Sequence, residues 1–316
     1  MRYQKTLCAV LALMFCCGCS TPAQQSESEL PAAQATSDDS VIVNDDTVVL
    51  EAGNSAQPTL PPTPTPSPEP TSAPTEFVPT PVPTPEPITA ERLDTGEFDA
   101  YFDDALLIGD SLTDILSGYV RKQRQTDEHY LGAAKVLGTT SMSVKTASAD
   151  KAYTNGISFH YRGKAVSITE CINACEAKKV FIMLGVNDIG SRSWDTVQEY
   201  YATLIDVIHQ KCPETEIVMQ GVLPVTSRYI KEHKVSIDRW NSFNEILAEI
   251  CKEHGAAFLD FSKLFMDEKG YLDTKLSSDK LFHLNEDGEA IWIRSLRLYA
   301  AQQMCPDAEV RVSAVD

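Results

Sequence analysis

Ala105-Leu106-Leu107-Ile108-Gly109-Asp110-Ser111-Leu112-Thr113 is the stretch whose reading decides the fold. The apolar run 105–108 reads as a buried strand. Leu112, Ile115, Leu116 and Tyr119 then recur at helical spacing, so a helix begins within two residues of the strand's end. A serine at such a junction projects its hydroxyl from the carboxyl edge of a sheet, where the helix N-terminus offers unpaired N–H groups and positive potential. That setting suits a nucleophile aimed at a carbonyl carbon. The same serine, following an aspartate, also suits a plain helix cap.

Outward from this junction the pattern repeats. Strands are expected at 104–109, near 131–137, at 179–184, 215–222 and 256–260, with helices at 111–123, about 168–178, 195–211, 236–254 and about 286–302. Residues 156–168 alternate like a hairpin, with Arg162-Gly163-Lys164 as its turn. Strands alternating with helices predict an α/β fold, a three-layer α/β/α sandwich with a parallel central sheet.

Two further segments stand where a serine nucleophile needs partners. Lys179-Val180-Phe181-Ile182-Met183-Leu184 runs into Gly185-Val186-Asn187-Asp188, and Asp279 precedes His283-Leu284-Asn285 just before the last helix. Together these supply a nucleophile, oxyanion donors, an acid and a general base. With the Gly109-Asp110-Ser111-Leu112 and Gly185-Val186-Asn187-Asp188 blocks in order and a late histidine, residues 100–302 resemble the SGNH (GDSL) hydrolases. The G-x-S-x-G elbow of the α/β-hydrolases is absent.

The resemblance implies Ser111 as nucleophile, His283 as base and an acid three residues before the histidine. Lys280 occupies that place, and Asp279 lies four before, so either a turn absorbs the extra residue or another group, such as Asp273, orients the ring. It also implies an oxyanion hole from the backbone N–H of Ser111, the N–H of a second-block glycine and the Asn187 amide. Gly138 best fits the glycine, with Gly132 as competitor. Asp110 and Asp188 read as loop-fixing acceptors. Gly221-Val222-Leu223-Pro224-Val225 ends another strand and is expected to form one wall of the cleft, with Ser227, Arg228 and Tyr229, and Ser191, Arg192 and Trp194 after the Asn187 loop, as candidates for substrate contact. This chemistry needs no cofactor, and no metal-ligand spacing or phosphate loop is present.

The 316 residues carry a net charge of −18, which argues against nucleic-acid binding. Arg2 and Lys5 precede the apolar stretch Leu7–Cys17, too short to span a membrane, which ends in Cys16-Cys17-Gly18-Cys19. Gly18-Cys19 resembles a bacterial lipobox despite Cys16 at a place where leucine is usual, and implies attachment to the membrane by acyl chains on Cys19. Thirteen of the eighteen prolines fall within 58–87 and only three beyond residue 90, so composition marks a boundary there. The chain therefore divides into a lipoprotein signal peptide (1–19), a disordered acidic tail (20–57), a Pro/Thr-rich linker (58–89), an SGNH hydrolase domain (90–305) and a C-terminal tail (306–316). Cys171, Cys175, Cys212, Cys251 and Cys305 are odd in number, lie in helical patterns and read as small buried apolar residues.

The expected activity is hydrolysis of a short-chain, acetyl-type O-ester on a small molecule or cell-wall glycan, outside the cytoplasm. An O-acyltransferase using the same residues, and a silent wall-binding module, are the alternatives.

Overall fold

The computed structural model describes residues 85–190 and 193–312. The proposed signal peptide, acidic tail and all but the end of the linker lie outside them, as do Ser191 and Arg192.

Five strands form the central sheet: β1 (Ala105–Gly109), β2 (Lys135–Gly138), β5 (Lys179–Met183), β6 (Glu216–Gln220) and β7 (Ala257–Leu259). Their order is β2-β1-β5-β6-β7, and every neighbouring pair is parallel. This is a doubly wound sheet whose winding reverses between β1 and β5, and the crevice beyond the carboxyl ends at such a reversal is where ligands bind. All five residues of β1 are buried, as a strand covered on both faces requires, while the edge strands β2 and β7 are half-buried. A separate antiparallel hairpin joins β3 (Phe159–Tyr161) to β4 (Lys164–Val166). Its turn residues Arg162 and Gly163 have φ of 49° and 76°, the left-handed pair a two-residue turn needs.

Helix α1 (Ala90–Asp94) precedes the sheet, and α2 (Ser111–Gln123) leaves β1 with Leu112, Leu116 and Val120 buried at four-residue spacing. The rest of the helical layers is α3 (Val144–Ser148), α4 (Ile168–Cys175), α5 (Trp194–Lys211), α6 (Ser227–His233), α7 (Ile237–Asn241), α8 (Phe243–Glu253) and α9 (Glu286–Met304). α2 packs with α9, and α5 with α3, α4 and α8. The α9 indole of Trp292, fully buried, donates to Gln220 Oε1 at the end of β6 (2.8 Å). Ile88, also fully buried, bridges to Val310, so the segments before α1 and after α9 meet.

Two sequence expectations are corrected. The helix expected over 236–254 is two helices broken at Ser242. Asn244, in the first turn of α8, exchanges hydrogen bonds with the Val222 backbone (2.8 and 3.1 Å), which fixes α8 to the end of β6 in its own direction. The strand expected near 131–137 begins only at Lys135, because Leu131 and Gly132 have φ of 57° and 54° and turn the chain first. Four cysteines, Cys171, Cys175, Cys212 and Cys251, are buried and unpaired. No helix among the described residues is long and apolar enough to cross a membrane.

Candidate active site

The site is built where β1 gives way to α2. A Cβ on Gly109 would stand 2.2 Å from Thr113 Oγ1 and 2.3 Å from the Met183 carbonyl oxygen, so only glycine lets β1, β5 and α2 meet. Asp110 is the cap: its Oδ1 accepts from the Leu112 N–H (3.0 Å). The capping role is thus filled by the aspartate, which leaves the Ser111 hydroxyl, on a largely buried side chain, to meet another partner.

Ser111 Oγ lies 2.9 Å from His283 Nε2, and His283 Nδ1 lies 2.7 Å from Asp279 Oδ2. Among the described residues, His283 is the histidine that joins a serine hydroxyl to a carboxylate. The other five bond to main-chain carbonyls or lie in surface pairs. Asp279 also holds the loop. Its Oδ1 accepts from the N–H groups of Leu281 (2.7 Å), Phe282 (3.1 Å) and His283 (3.3 Å) and from Ser277 Oγ (3.2 Å). Burial alone would raise the Asp279 pKa. The Leu281 N–H and the His283 ring outweigh it and hold the carboxyl below its ordinary value.

The extra residue before the histidine has a visible solution. Lys280 has φ of 61°, a left-handed step inside the loop. Its carbonyl accepts from Thr226 Oγ1 (2.8 Å), and the Leu281 carbonyl accepts from Thr226 N–H (2.8 Å). Thr226 is fully buried and also caps α6 through the Tyr229 N–H (3.3 Å). Asp273 lies elsewhere in this loop system, with its Oδ1 on the Lys275 N–H (2.9 Å). Sequence reasoning missed Thr226. The only signal for it was its place five residues after Gly221, on the strand end that walls the cleft.

Asn187 follows β5. One amide N–H donates to the Met142 carbonyl (2.9 Å), and Asp188 Oδ2 accepts from Val144 N–H (2.8 Å), so the loop after β5 is tied to the loop after β2. Ser141 in that second loop has φ of 62°, which the sequence did not signal. Gly138 ends β2 beside Gly109. A Cβ there would stand 1.9 Å from the Asp114 nitrogen, so close approach of α2 accounts for the glycine by itself. Gly132 turns the chain before β2. Beneath the site, burial and the nearby Asp188 push Asp110 up to about 7.

Of the substrate-contact candidates, Trp194 is a packing residue, stacked on Phe243 (5.1 Å between ring centroids) and with the Arg239 guanidinium over its ring (4.5 Å). Arg228 pairs with Glu232 on the surface. Tyr229 stacks on His233 and meets Phe282 edge-on, which places it against the His283 loop. Ser227 begins α6. No group of three or more His, Cys, Asp or Glu suited to a metal ion occurs among the described residues.

No curated protein matches the chain in sequence. Solved structures do resemble it in fold. A protein assigned as an acylhydrolase from Bacteroides fragilis is 12% identical over 70% of this chain and 92% of its own, with a TM-score of 0.50. A GDSL-like lipase from Bacteroides thetaiotaomicron is 15% identical over 68% and 97%, with a TM-score of 0.48. A variant of an acetylxylan esterase from Geobacillus stearothermophilus is 18% identical over 67% and 95%, with a TM-score of 0.42. The model of the GDSL-like lipase/acylhydrolase family matches residues 107–291, which takes in the end of β1 with Ser111, the Asn187 loop and the His283 loop. The chain belongs to that family, the SGNH-type ester hydrolases.

Proposed function

We propose that Ser111, His283 and Asp279 are the catalytic residues of a serine esterase that removes a short acyl group, acetyl in the first instance, from an oxygen ester on a glycan. The observation that carries this reading is the unbroken chain from Ser111 Oγ through the imidazole to the Asp279 carboxylate. His283 Nε2 takes the hydroxyl proton as Oγ attacks the ester carbon. Charge on the carbonyl oxygen is met by the Ser111 N–H at the start of α2 and by the N–H of Asn187 not bonded to Met142. His283 returns the proton to the departing sugar oxygen, then activates a water that releases the acid and frees Ser111. Asp279 fixes the imidazole tautomer and stabilises the imidazolium. The glycan assignment draws on the signal and linker, which together would hold the domain outside the membrane from a lipidated Cys19 and within reach of the wall.

The test is release of a chromophore from acetyl, butyryl and longer esters, beside acetate release from acetylated glycans. A burst followed by steady turnover, fastest with acetyl, is the expected result. Turnover increased by added sugar acceptors, with the acyl group found on the sugar, would make it a transferase. Absence of both burst and turnover would leave a binding module.

A further inference from the structure

The loop that leaves β2 crosses the carboxyl end of β1, which lies between β2 and β5 in the sheet. At its start the Thr139 N–H donates to the Gly109 carbonyl (3.0 Å). At its end the Met142 carbonyl accepts from Asn187 (2.9 Å) and the Val144 N–H donates to Asp188 Oδ2 (2.8 Å), both beyond β5. Neighbouring strands stand about 4.8 Å apart, so the crossing spans about 10 Å, and its middle, Thr140 and Ser141, falls over the end of β1, where Ser111 opens α2. Met142 and Ser143 are buried, whereas Thr140 and Ser141 are exposed.

The side chain of Ser141 is at odds with its backbone. The Met142 N–H donates to the Thr139 carbonyl (3.0 Å), and of the two residues between them Ser141 alone has a positive φ, 62°. That is the form of a type II turn, whose third residue is ordinarily glycine or asparagine. Glu176 and Lys234, which share the conformation, terminate α4 and α6, and Arg162 turns a hairpin. Among the described residues neither the Ser141 hydroxyl nor its N–H bonds to a protein group. Glycine would make the turn without strain, so the fold itself has no use for this side chain. Strain of this kind is held at sites that meet a ligand.

The two sides of the ester follow from the place of the base. His283 reaches Ser111 on a loop held by Thr226, beyond β6. The departing oxygen takes its proton from His283 Nε2 and so lies on that side, while the acyl chain leaves the ester carbon on the other, toward the Thr140–Ser141 crossing. We infer that Ser141 is the specificity-determining residue for the acyl group, its side chain closing that side of the site to chains longer than acetyl. This rests on the esterase reading of Ser111 and His283.

The experiment measures kcat/KM of the full chain for p-nitrophenyl acetate, butyrate and hexanoate in the parent, Ser141→Gly, Ser141→Asn and Thr140→Ala. The leaving group is constant, so the ratios report the acyl side alone. Ser141→Gly should raise the butyrate-to-acetate ratio at least about tenfold, the scale on which a pocket discriminates by one or two methylenes. Glycine also relieves the backbone, so a destabilised loop cannot account for such a rise. Ser141→Asn, which adds bulk in a conformation asparagine tolerates, should lower the ratio. The ratio of methylumbelliferyl acetate to p-nitrophenyl acetate, which varies the alcohol side, should stay as in the parent. A butyrate-to-acetate ratio unmoved by Ser141→Gly, raised by Ser141→Asn, or moved as far by Thr140→Ala would overturn the inference, and with Ser111→Ala inactive the esterase reading would stand without it. Turnover kept by Ser111→Ala, or absent from the parent, would overturn that reading and this inference together. Should Ser141→Asn fail to fold, Ser141→Gly decides.

Discussion

Asp279→Asn should leave the fold intact and lower kcat by about ten thousand, a loss of about 5.5 kcal/mol in transition-state stabilisation. Asparagine has the shape of aspartate, but one of its ends is now a donor. If Oδ1 stays with the N–H groups of Leu281, Phe282 and His283, the amide N–H faces His283 Nδ1. Nδ1 must then accept, the ring proton moves to Nε2, and the group 2.9 Å from Ser111 Oγ can no longer take its proton. Turning the amide over would set its NH2 against three backbone N–H groups and lose three hydrogen bonds, about 3 kcal/mol in all. The first orientation therefore wins, and the loop survives with the wrong tautomer. Asp279→Ala, by contrast, removes the loop's anchor as well and should also lower Tm. The assay is steady-state hydrolysis of p-nitrophenyl acetate beside a thermal melt of each variant. A kcat for Asp279→Asn within about tenfold of the parent would refute the reasoning and leave a Ser–His dyad.

Four further outcomes are expected. Ser111→Ala should abolish the burst and turnover with Tm unchanged, read by the same ester assay, because the hydroxyl contributes its reactivity and little packing. Lys280→Gly should be tolerated, whereas Lys280→Val, a β-branched residue in a left-handed step, should cost about 1–3 kcal/mol in a denaturant melt and lower kcat. Thr226→Val should lose both the α6 cap and the bond to the Lys280 carbonyl, dropping kcat more than it changes KM, and Thr226→Ser should restore both. Glu289 has its pKa raised from 4.5 to about 8 by burial, so its contribution to stability is complete below about pH 4.5 and is lost as pH rises through 8. Melts from pH 5 to 9 should show Tm falling less in Glu289→Gln than in the parent, and parallel curves would show that Glu289 does not titrate in the fold.

The sheet was legible because its central strands are buried on both faces. Runs such as Leu106-Leu107-Ile108 and Val180-Phe181-Ile182 have no polar interruption, and their bounds came out within a residue or two. Short elements carried too little pattern. α3 is five residues and α6 seven, each started by a capping serine or threonine rather than by an apolar repeat. The break between α7 and α8 was hidden because Ile237, Trp240, Phe243, Leu247 and Ile250 continue at helical spacing across it. What interrupts the helix is tertiary, the grip of Asn244 on Val222, and no local periodicity records such a contact.

The candidate site shows the same division at finer scale. The types and order of Ser111, Asn187, Asp279 and His283 are chemical facts of the sequence, but whether Asp279 could reach the ring was a question of backbone path. In a loop of ordinary conformation an added residue swings the next side chain away from its former direction. Here Lys280 takes the extra residue into the left-handed region, at a cost of about 1–2 kcal/mol for a residue with a Cβ. Three bonds from Asp279 Oδ1 to the following N–H groups and two from Thr226 to the Lys280 and Leu281 carbonyls offset that cost. The acid that orients the imidazole is thus also the acceptor that makes its own unusual spacing stable. Because both tasks fall on one carboxylate, kcat and the order of the 279–283 loop should respond together to any change at 279 that removes an acceptor, and separately only to one, such as asparagine, that keeps Oδ1 and alters its partner.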